Sequence, residues 1–548
     1  MPTRLALSIV IAWLAELSLA GVAIAEPAAT VDPAQCAALA VADFSQISDA
    51  PTQVISARPM TATQDLPAYC QLMGYVTPKV GIKLGLPSPW NGKFMEMGCG
   101  AHCGVLDGNS LPWSCDSALR KGYACIVSDM GHRGTGGGDG LWAYGNLQAK
   151  FDWGIRATHV AALAGKAIAE HYYAQKPKKA YFMGCSTGGR QALQEAQHFP
   201  WDFDGLVAGA PPVDLSMLYM TFVWGIRATH NAAGKALLGS DELKRLTAAA
   251  VAKCDLDDGV KDGIIGDPLH CRFEPSELAC KAGQTHDCLT PEQIEAAKKV
   301  YSGPMNSSGV KLSLGGPLPG SEYGTLAGSP HDWREAYTGV DGKSPGYEGL
   351  ATEGFRYLFF LPESGPKWRL SDFDFDSDYK RLGLMQSLYD SSNPDLREFK
   401  AAGGKMIIFQ GLNDNSVLPR STIDYYETVE RIMGGQAATE DFVRLFLLPG
   451  VGHCVGGDGA FDADYLSSLE AWVETSRAPD KLISSHVRLE DIKFESADDF
   501  PKLIRRMEYP LDPSTVEFSR PVYPYPTRAT YLGHGDSKDA HSFGPFPR

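Results

Sequence analysis

The sequence predicts an α/β chain, a largely parallel sheet with helices on its faces, interrupted by one large insertion. Three observations predict it. Residues 85–212 alternate short apolar runs with helix-like segments, the pattern of strand–helix–strand units. Apolar runs of the same kind return at Lys405–Gln410 and Val443–Leu448. Between these regions, from 213 to about 392, the pattern changes, and a Gly/Ser/Pro-rich tract runs from Gly303 to Gly349. A structureless loop of that length does not belong inside a compact core.

Each element follows from its residues. Lys93–Met97 and Tyr123–Ser128 are short apolar runs bounded by turn residues, hence strands. Trp153–Tyr173 carries apolar residues at helical spacing. Ala180–Met183 is a further strand, followed at once by Gly184 and the helix-like Thr187–His198; Gly205–Ala208 is the next strand. After the insertion, Lys405–Gln410 and Val443–Leu448 read as buried strands and Tyr465–Thr475 as a helix. The expected division is therefore a leader at 1–25, a first sheet segment at 26–212, an inserted lid at 213–392 and a second sheet segment at 393–548. The string Trp-Gly-Ile-Arg-Ala-Thr-His occurs at 153–159 and again at 224–230, both at the start of helical patterns. The flanks match weakly, and no longer period supports a repeat architecture.

Composition narrows the class. The chain has 548 residues, 44% hydrophobic and 21% charged, with a formal net charge of −15. That apolar fraction excludes a disordered chain. The acidic balance argues against a nucleic-acid partner. The N-terminus reads as an export signal: Arg4, an apolar run of eleven residues from Leu5 to Ala15, and the small-x-small site Ala23-Ile24-Ala25. Glu16 breaks the apolar stretch, which is too short for a membrane span. A secreted or periplasmic location and no stable membrane insertion are expected. Twelve Cys fit an oxidising compartment. None forms a CxxC pair, and no His stands at zinc-finger spacing.

Gly184-Cys185-Ser186-Thr187-Gly188-Gly189 fits G-x-S-x-G between a strand and a helix. Such a turn strains its central residue and lifts the Ser186 hydroxyl clear of the backbone. The helix starting at Thr187 aims free N–H groups at the place where an oxyanion would form. Serine is a poor nucleophile without a general base. α/β-hydrolases place their groups in the order Ser, acid, His. Phe409-Gln410-Gly411-Leu412-Asn413-Asp414 puts an acid after a strand, and Leu448-Pro449-Gly450-Val451-Gly452-His453-Cys454 puts a His in a Gly-rich loop after the next. Cys185 precedes Ser186, and Cys454 follows His453. A disulfide needs Cα atoms roughly 4.4–6.8 Å apart, so a Cys185–Cys454 bridge would hold nucleophile and base together.

These residues resemble the tannase/feruloyl esterase family of α/β-hydrolases, which also includes hydrolases of mono(2-hydroxyethyl) terephthalate. The resemblance covers nearly the whole mature chain. Trp90-Asn91-Gly92-Lys93-Phe94, Ser128-Asp129-Met130-Gly131-His132, Gly403-Gly404-Lys405, Arg520-Pro521 and Pro524-Tyr525-Pro526 also match. It implies an α/β-hydrolase fold with a large inserted lid domain. It makes Ser186 the nucleophile, His453 the general base and then acid, and Asp414 the residue that orients His453. Thr187 N–H would form one side of the oxyanion hole, and the Gly98–Ala101 turn, through Gly100, the other. Where the family has glycines, this turn reads Gly98-Cys99-Gly100-Ala101-His102-Cys103. The choice between Gly100 and Ala101 stays open, as does the pairing of Cys99, Cys103, Cys115 and Cys125. The family's usual C-terminal disulfide is missing, with Tyr523 and a Cys-free tail in its place.

The segment Cys254–Ile264 is rich in carboxylates and glycines. Ca²⁺ takes six to eight oxygen ligands, and Asp255, Asp258 and Asp262 together would repel one another without a cation. The register is not that of an EF-hand. The segment looks like the family's lid calcium site, with Asp255, Asp258 and Asp262 as side-chain ligands, Val260 and Ile264 as carbonyl ligands, and Asp257 as an additional donor. Bridges Cys254–Cys271, Cys280–Cys288 and Cys36–Cys70 are expected to tie down the lid and the N-terminal region.

The expected chemistry is hydrolysis of an aromatic ester, feruloyl, galloyl or terephthaloyl, through an acyl-enzyme, with no redox or organic cofactor. Trp333, Tyr337, Phe355, Tyr357, Phe359 and Phe360 could stack on the substrate ring or fill the lid's own core. Two other readings use the same residues: acyl transfer to an alcohol, and a calcium-stabilised binding protein with an inert hydrolase site.

Overall fold

In the computed structural model, residues 30–546 are described, apart from 108, 111, 136, 327–328, 341 and 493–498. The expected leader at 1–25 lies outside the described residues.

The central sheet has nine strands: β1 (Thr52–Met60), β2 (Ala68–Val76), β3 (Val80–Ser88), β4 (Lys93–Met97), β5 (Ala124–Ser128), β6 (Lys179–Cys185), β7 (Gly205–Gly209), β8 (Lys405–Gly411) and β9 (Val443–Leu448), in the order β1-β2-β3-β5-β4-β6-β7-β8-β9. β1, β2 and β3 run as an antiparallel meander, and β3 joins β5 antiparallel. From β5 onward every pairing is parallel. The parallel strands are buried on both faces, which is why they read as continuous apolar runs. Alternate residues supply two cores. Phe94, Phe182, Leu206 and Ile408 belong to one; Met95, Tyr181, Val207 and Ile407 belong to the other.

Helix α1 (Ala157–Tyr173) and helix α2 (Thr187–His198) link the strands around the nucleophile turn. A π-helical turn at Asp152–Arg156 precedes α1. Between Gly209 and Lys405 the described chain adds no strand to the central sheet, although β7 and β8 pair directly. That stretch carries α3 (Leu215–Thr229), further helices at Ser240–Cys254 and Pro291–Ser302, and a small hairpin of Thr325–Leu326 with Ser329–Pro330. The repeated heptapeptide has no common structural role. Its first copy spans the π-turn and the start of α1, as expected. Its second copy ends α3 rather than starting a helix, with His230 as the cap.

Beyond β9, helix α4 (Tyr465–Thr475) is followed by β10 (Leu482–Val487), which pairs antiparallel with β11 (Val516–Val522). The Cys-free tail is held by ion pairs: Arg520 to Asp262 at 2.6 Å and Arg528 to Asp267 at 2.5 Å.

All twelve cysteines are paired. Bridges 36–70, 185–454, 254–271 and 280–288 form as expected. The four cysteines left open pair as Cys99–Cys103 and Cys115–Cys125.

A charged cluster is sealed between β4, α1 and α2. His159 Nδ1 lies 2.5 Å from Asp202 Oδ2, and Lys166 donates to the Asp202 carbonyl at 2.8 Å. Glu96 and Glu195 are buried beside them, and neither carboxyl has a hydrogen-bond donor among the described residues. Burial, with the neighbouring Asp202 charge, pushes both acids well above the usual carboxylate range. An acid raised in the folded state stabilises the fold below its unfolded pKa, and that stability is lost as pH rises through the folded value. Glu96→Gln keeps the shape and cannot ionise. We expect its melting temperature to fall less than wild type between pH 5 and pH 9, by roughly 2 °C or more; identical pH profiles in a thermal-melt series would refute this.

Candidate active site

Ser186 ends β6 and starts α2 with φ 60° and ψ −125°. This is a left-handed conformation, costly for a residue with a side chain and a mark of a functional turn. The crowding is physical. A Cβ on Gly184 would lie 2.6 Å from Gly188 Cα, and one on Gly98 would lie 2.7 Å from the same atom. The Ser186 N–H donates to Gly209 O at 2.9 Å, which fixes the turn to β7. Ser186 itself keeps partial exposure while Cys185 and Thr187 are buried. As the first helical residue, Thr187 has an N–H with no acceptor within the helix.

Asp414 follows β8 and is fully buried. Its Oδ1 accepts the N–H groups of Ser416 and Val417 at 2.9 and 2.8 Å. Its Oδ2 accepts Gln410 Nε2 at 3.1 Å and faces His453 Nδ1 at 2.9 Å. The carboxylate is thus oriented by three donors before it meets the imidazole. His453 lies in the loop after β9, and the next residue closes the Cys185–Cys454 bridge, with Cα atoms 5.9 Å apart and a sequence separation of 269. The serine and the histidine therefore flank one covalent link. Hydroxyl, imidazole and carboxylate in this order can carry out nucleophilic acyl transfer.

The turn facing α2 is also pinned. The Cys99–Cys103 bridge closes a tight loop across a sequence separation of 4. The Cys99 N–H donates to Gln191 Oε1 at 3.0 Å, and Thr187 Oγ1 donates to Ala101 O at 2.6 Å. Ala101 takes φ 48°. Gly100 is exposed, and a Cβ there would touch nothing within 4 Å. His102, next in the turn, is buried against α3 with Nε2 2.7 Å from Tyr219 Oη. Burial pushes its imidazole down to about 4, so it is neutral near pH 7.

The insertion touches both loops that carry the acid and the histidine. Asn413 Nδ2 donates to Gly320 O at 2.6 Å, and Tyr337 Oη donates to Asn415 O at 2.7 Å. His331 Nε2 lies 3.0 Å from the His453 carbonyl. The six aromatic residues considered as stacking partners, Trp333, Tyr337, Phe355, Tyr357, Phe359 and Phe360, are all buried in the core. Phe355 packs on Phe359, Phe360, Trp368 and Phe373, so these rings fill the insertion's interior. Gln410, His331 and Gln191 were missed from sequence. Gln410 had a signal, since it stands four residues before Asp414 at the strand end.

The acidic loop gathers as a turn. Asp255 Oδ1 accepts the N–H groups of Asp262 and Gly263 at 3.2 and 3.1 Å. Asp258, partly desolvated between Asp262 and Asp255, has its carboxyl pushed up to about 7 by burial and those two charges. Among the described residues, the Val260 and Ile264 carbonyls accept no hydrogen bond. This donor set of carboxylates and spare carbonyls fits a hard cation. The three carboxylates are not drawn into a tight knot: among the described residues, the trio of ligand-type side chains within 4.8 Å of one another is His159, Glu195 and Asp202. Asp257 is exposed.

The family model described as tannase and feruloyl esterase matches residues 67–545. An uncharacterized esterase of Xanthomonas campestris pv. campestris is 31% identical over 91% of this chain and 88% of its own length. Mono(2-hydroxyethyl) terephthalate hydrolase of Piscinibacter sakaiensis is 31% identical over 89% of this chain and 86% of its own. The crystal structure of feruloyl esterase B from Aspergillus oryzae superposes with a TM-score of 0.77 at 25% identity, over 94% of this chain and 100% of that one. The match in sequence and in architecture runs through the nucleophile turn and both supporting loops, and the chain belongs to the tannase and feruloyl esterase family and is a carboxylic ester hydrolase.

Proposed function

We propose that the protein is an exported serine esterase that hydrolyses carboxylic esters of aromatic acids, of feruloyl, galloyl or terephthaloyl type. The observation that carries this reading is the Cys185–Cys454 bridge, which flanks the strained Ser186 on one side and the Asp414-bound His453 on the other.

In this mechanism Ser186 Oγ attacks the ester carbonyl while His453 Nε2 takes its proton. Asp414 holds Nδ1–H and favours the imidazolium as it forms. The oxyanion is met by Thr187 N–H and by a donor of the Gly98–Ala101 turn, Gly100 in our assignment. His453 then gives its proton to the leaving alcohol. A water activated by His453 attacks the acyl-enzyme and frees the acid. The similarity to a mono(2-hydroxyethyl) terephthalate hydrolase and to a feruloyl esterase supports the aromatic acyl class. Export is supported by six disulfides and by the N-terminal leader pattern; no helix among the described residues is long and apolar enough to cross a membrane. Acyl transfer to an alcohol uses the same groups and is read from products formed with an acceptor alcohol present.

We assign a structural Ca²⁺ to the acidic loop, held by Asp255, Asp258, Asp262 and the carbonyls of Val260 and Ile264. The ion would supply charge neutralisation, chiefly at Asp258, and no step of the reaction passes through it.

Four outcomes follow. Ser186→Ala should lower kcat on an aromatic ester by about four to six orders of magnitude; wild-type activity would sink the assignment. In a panel of gallate, ferulate, benzoate, mono-terephthalate and short aliphatic esters, kcat/KM should favour the aromatic acyl groups, and faster aliphatic hydrolysis would reject that class. Replacing both Cys185 and Cys454 by Ser should cost about 3–5 kcal/mol of stability and reduce kcat; a double variant with unchanged kcat would show that the bridge does not hold the site. Chelation should lower the melting temperature without altering the labelling of Ser186 by a fluorophosphonate, whereas an unchanged melt would remove the calcium assignment.

A further inference from the structure

The insertion reaches the histidine loop through one titratable side chain that the mechanism has not used. His331 is half-buried, with Nε2 3.0 Å from the His453 carbonyl and Nδ1 3.4 Å from Glu335 Oε2. Both ring nitrogens therefore face acceptors. A neutral imidazole has one N–H and would leave one acceptor unmet; the doubly protonated ring serves both. The fit is close. A Cβ on residue 452 would lie 2.6 Å from His331 Cδ2, so Gly452 is what lets the ring reach the loop. The same segment makes a second tie, from Gly457 N–H to Thr325 O at 3.4 Å.

We propose that His331 is a positioning residue for His453: set between Glu335 and the His453 carbonyl, it fixes the loop of the general base. This rests on the assignment of His453 as general base. The charged groups that face His331 are Glu335 from its own segment and Asp414 from the acid loop, while the His453 loop presents a backbone carbonyl. Neighbouring Arg334 is engaged with Asp332 and lies over the Tyr323 ring, so that pair is internally neutralised. Burial works against a charge on His331, yet Glu335, the His453 carbonyl and Asp414 outweigh it and leave the group above the ordinary imidazole value.

His331→Gln keeps an N–H donor near the position of Nε2 and should hold kcat within about twofold of wild type. His331→Phe removes the donor and should lower kcat about tenfold with KM changed less than twofold.

The direct readout is the rate at which a fluorophosphonate labels Ser186, since it senses the base without a bound ester. Labelling slowed in His331→Phe and kept in His331→Gln supports the proposal. A wild-type labelling rate in a folded His331→Phe protein overturns it, as does an effect confined to KM, which would mark an ester contact instead. If His331→Phe fails to fold, Glu335→Gln, which frees the His331 ring, decides by slower labelling or by a wild-type rate. Failure of the wild-type protein to label at Ser186 would instead overturn the nucleophile assignment, so the two ideas fail separately.

Discussion

A covalent link between residues 269 apart in sequence is the constraint on which the rest of the site depends. Cys185 sits at the end of a buried parallel strand, and its neighbour Ser186 is forced into a strained turn. Cys454 sits in a Gly-rich loop with little secondary structure of its own. Loops of that kind are usually the mobile parts of a scaffold. Here the loop is tied to the one turn whose geometry the sheet dictates. The imidazole inherits the rigidity of the sheet, and the hydrogen bond to Asp414 fixes its remaining rotation.

The insertion fits this logic better as a clamp than as a cover alone. It bonds both flanks of Asp414 through Asn413 and Asn415, and the His453 loop through His331. Its aromatic residues are spent on its own interior. A segment of such length needs a core of its own to stay ordered, and the packing of Phe355 among five other rings shows where that core lies. The six rings that residue type alone would offer to a substrate belong to that core.

The sequence was most legible where periodicity and chemistry coincide. Lys93–Met97, Thr187–His198, Val443–Leu448 and Tyr465–Thr475 have the bounds expected from their apolar patterns and flanking turns. Ser186, Asp414 and His453 stood out because each lies at a strand end in a small-residue loop. The antiparallel meander at 52–88 was not anticipated, though Ala68–Val76 alternates buried and half-buried residues along its length. Its strands lack the strand-to-helix rhythm that exposed the others. Contacts made by the insertion were opaque for a different reason. His331 and Tyr337 act on backbone carbonyls of distant loops, and Gly320 offers its own carbonyl to Asn413; such contacts leave no residue-type signature. The two cysteine pairs at 99–103 and 115–125 depended on local backbone direction, which spacing does not encode.

The tail carries one more consequence. Arg520 and Arg528 neutralise Asp262 and Asp267, and Thr530 Oγ1 donates to the Asp258 carbonyl at 2.8 Å. The acidic loop in the middle of the chain is therefore completed by side chains that leave the ribosome last. Until those residues arrive, the loop holds its carboxylates without their arginine partners, and the insertion stays unfinished however early its helices form. Order of synthesis and order of assembly run in opposite directions here, and the chain matures as a whole rather than from its beginning to its end.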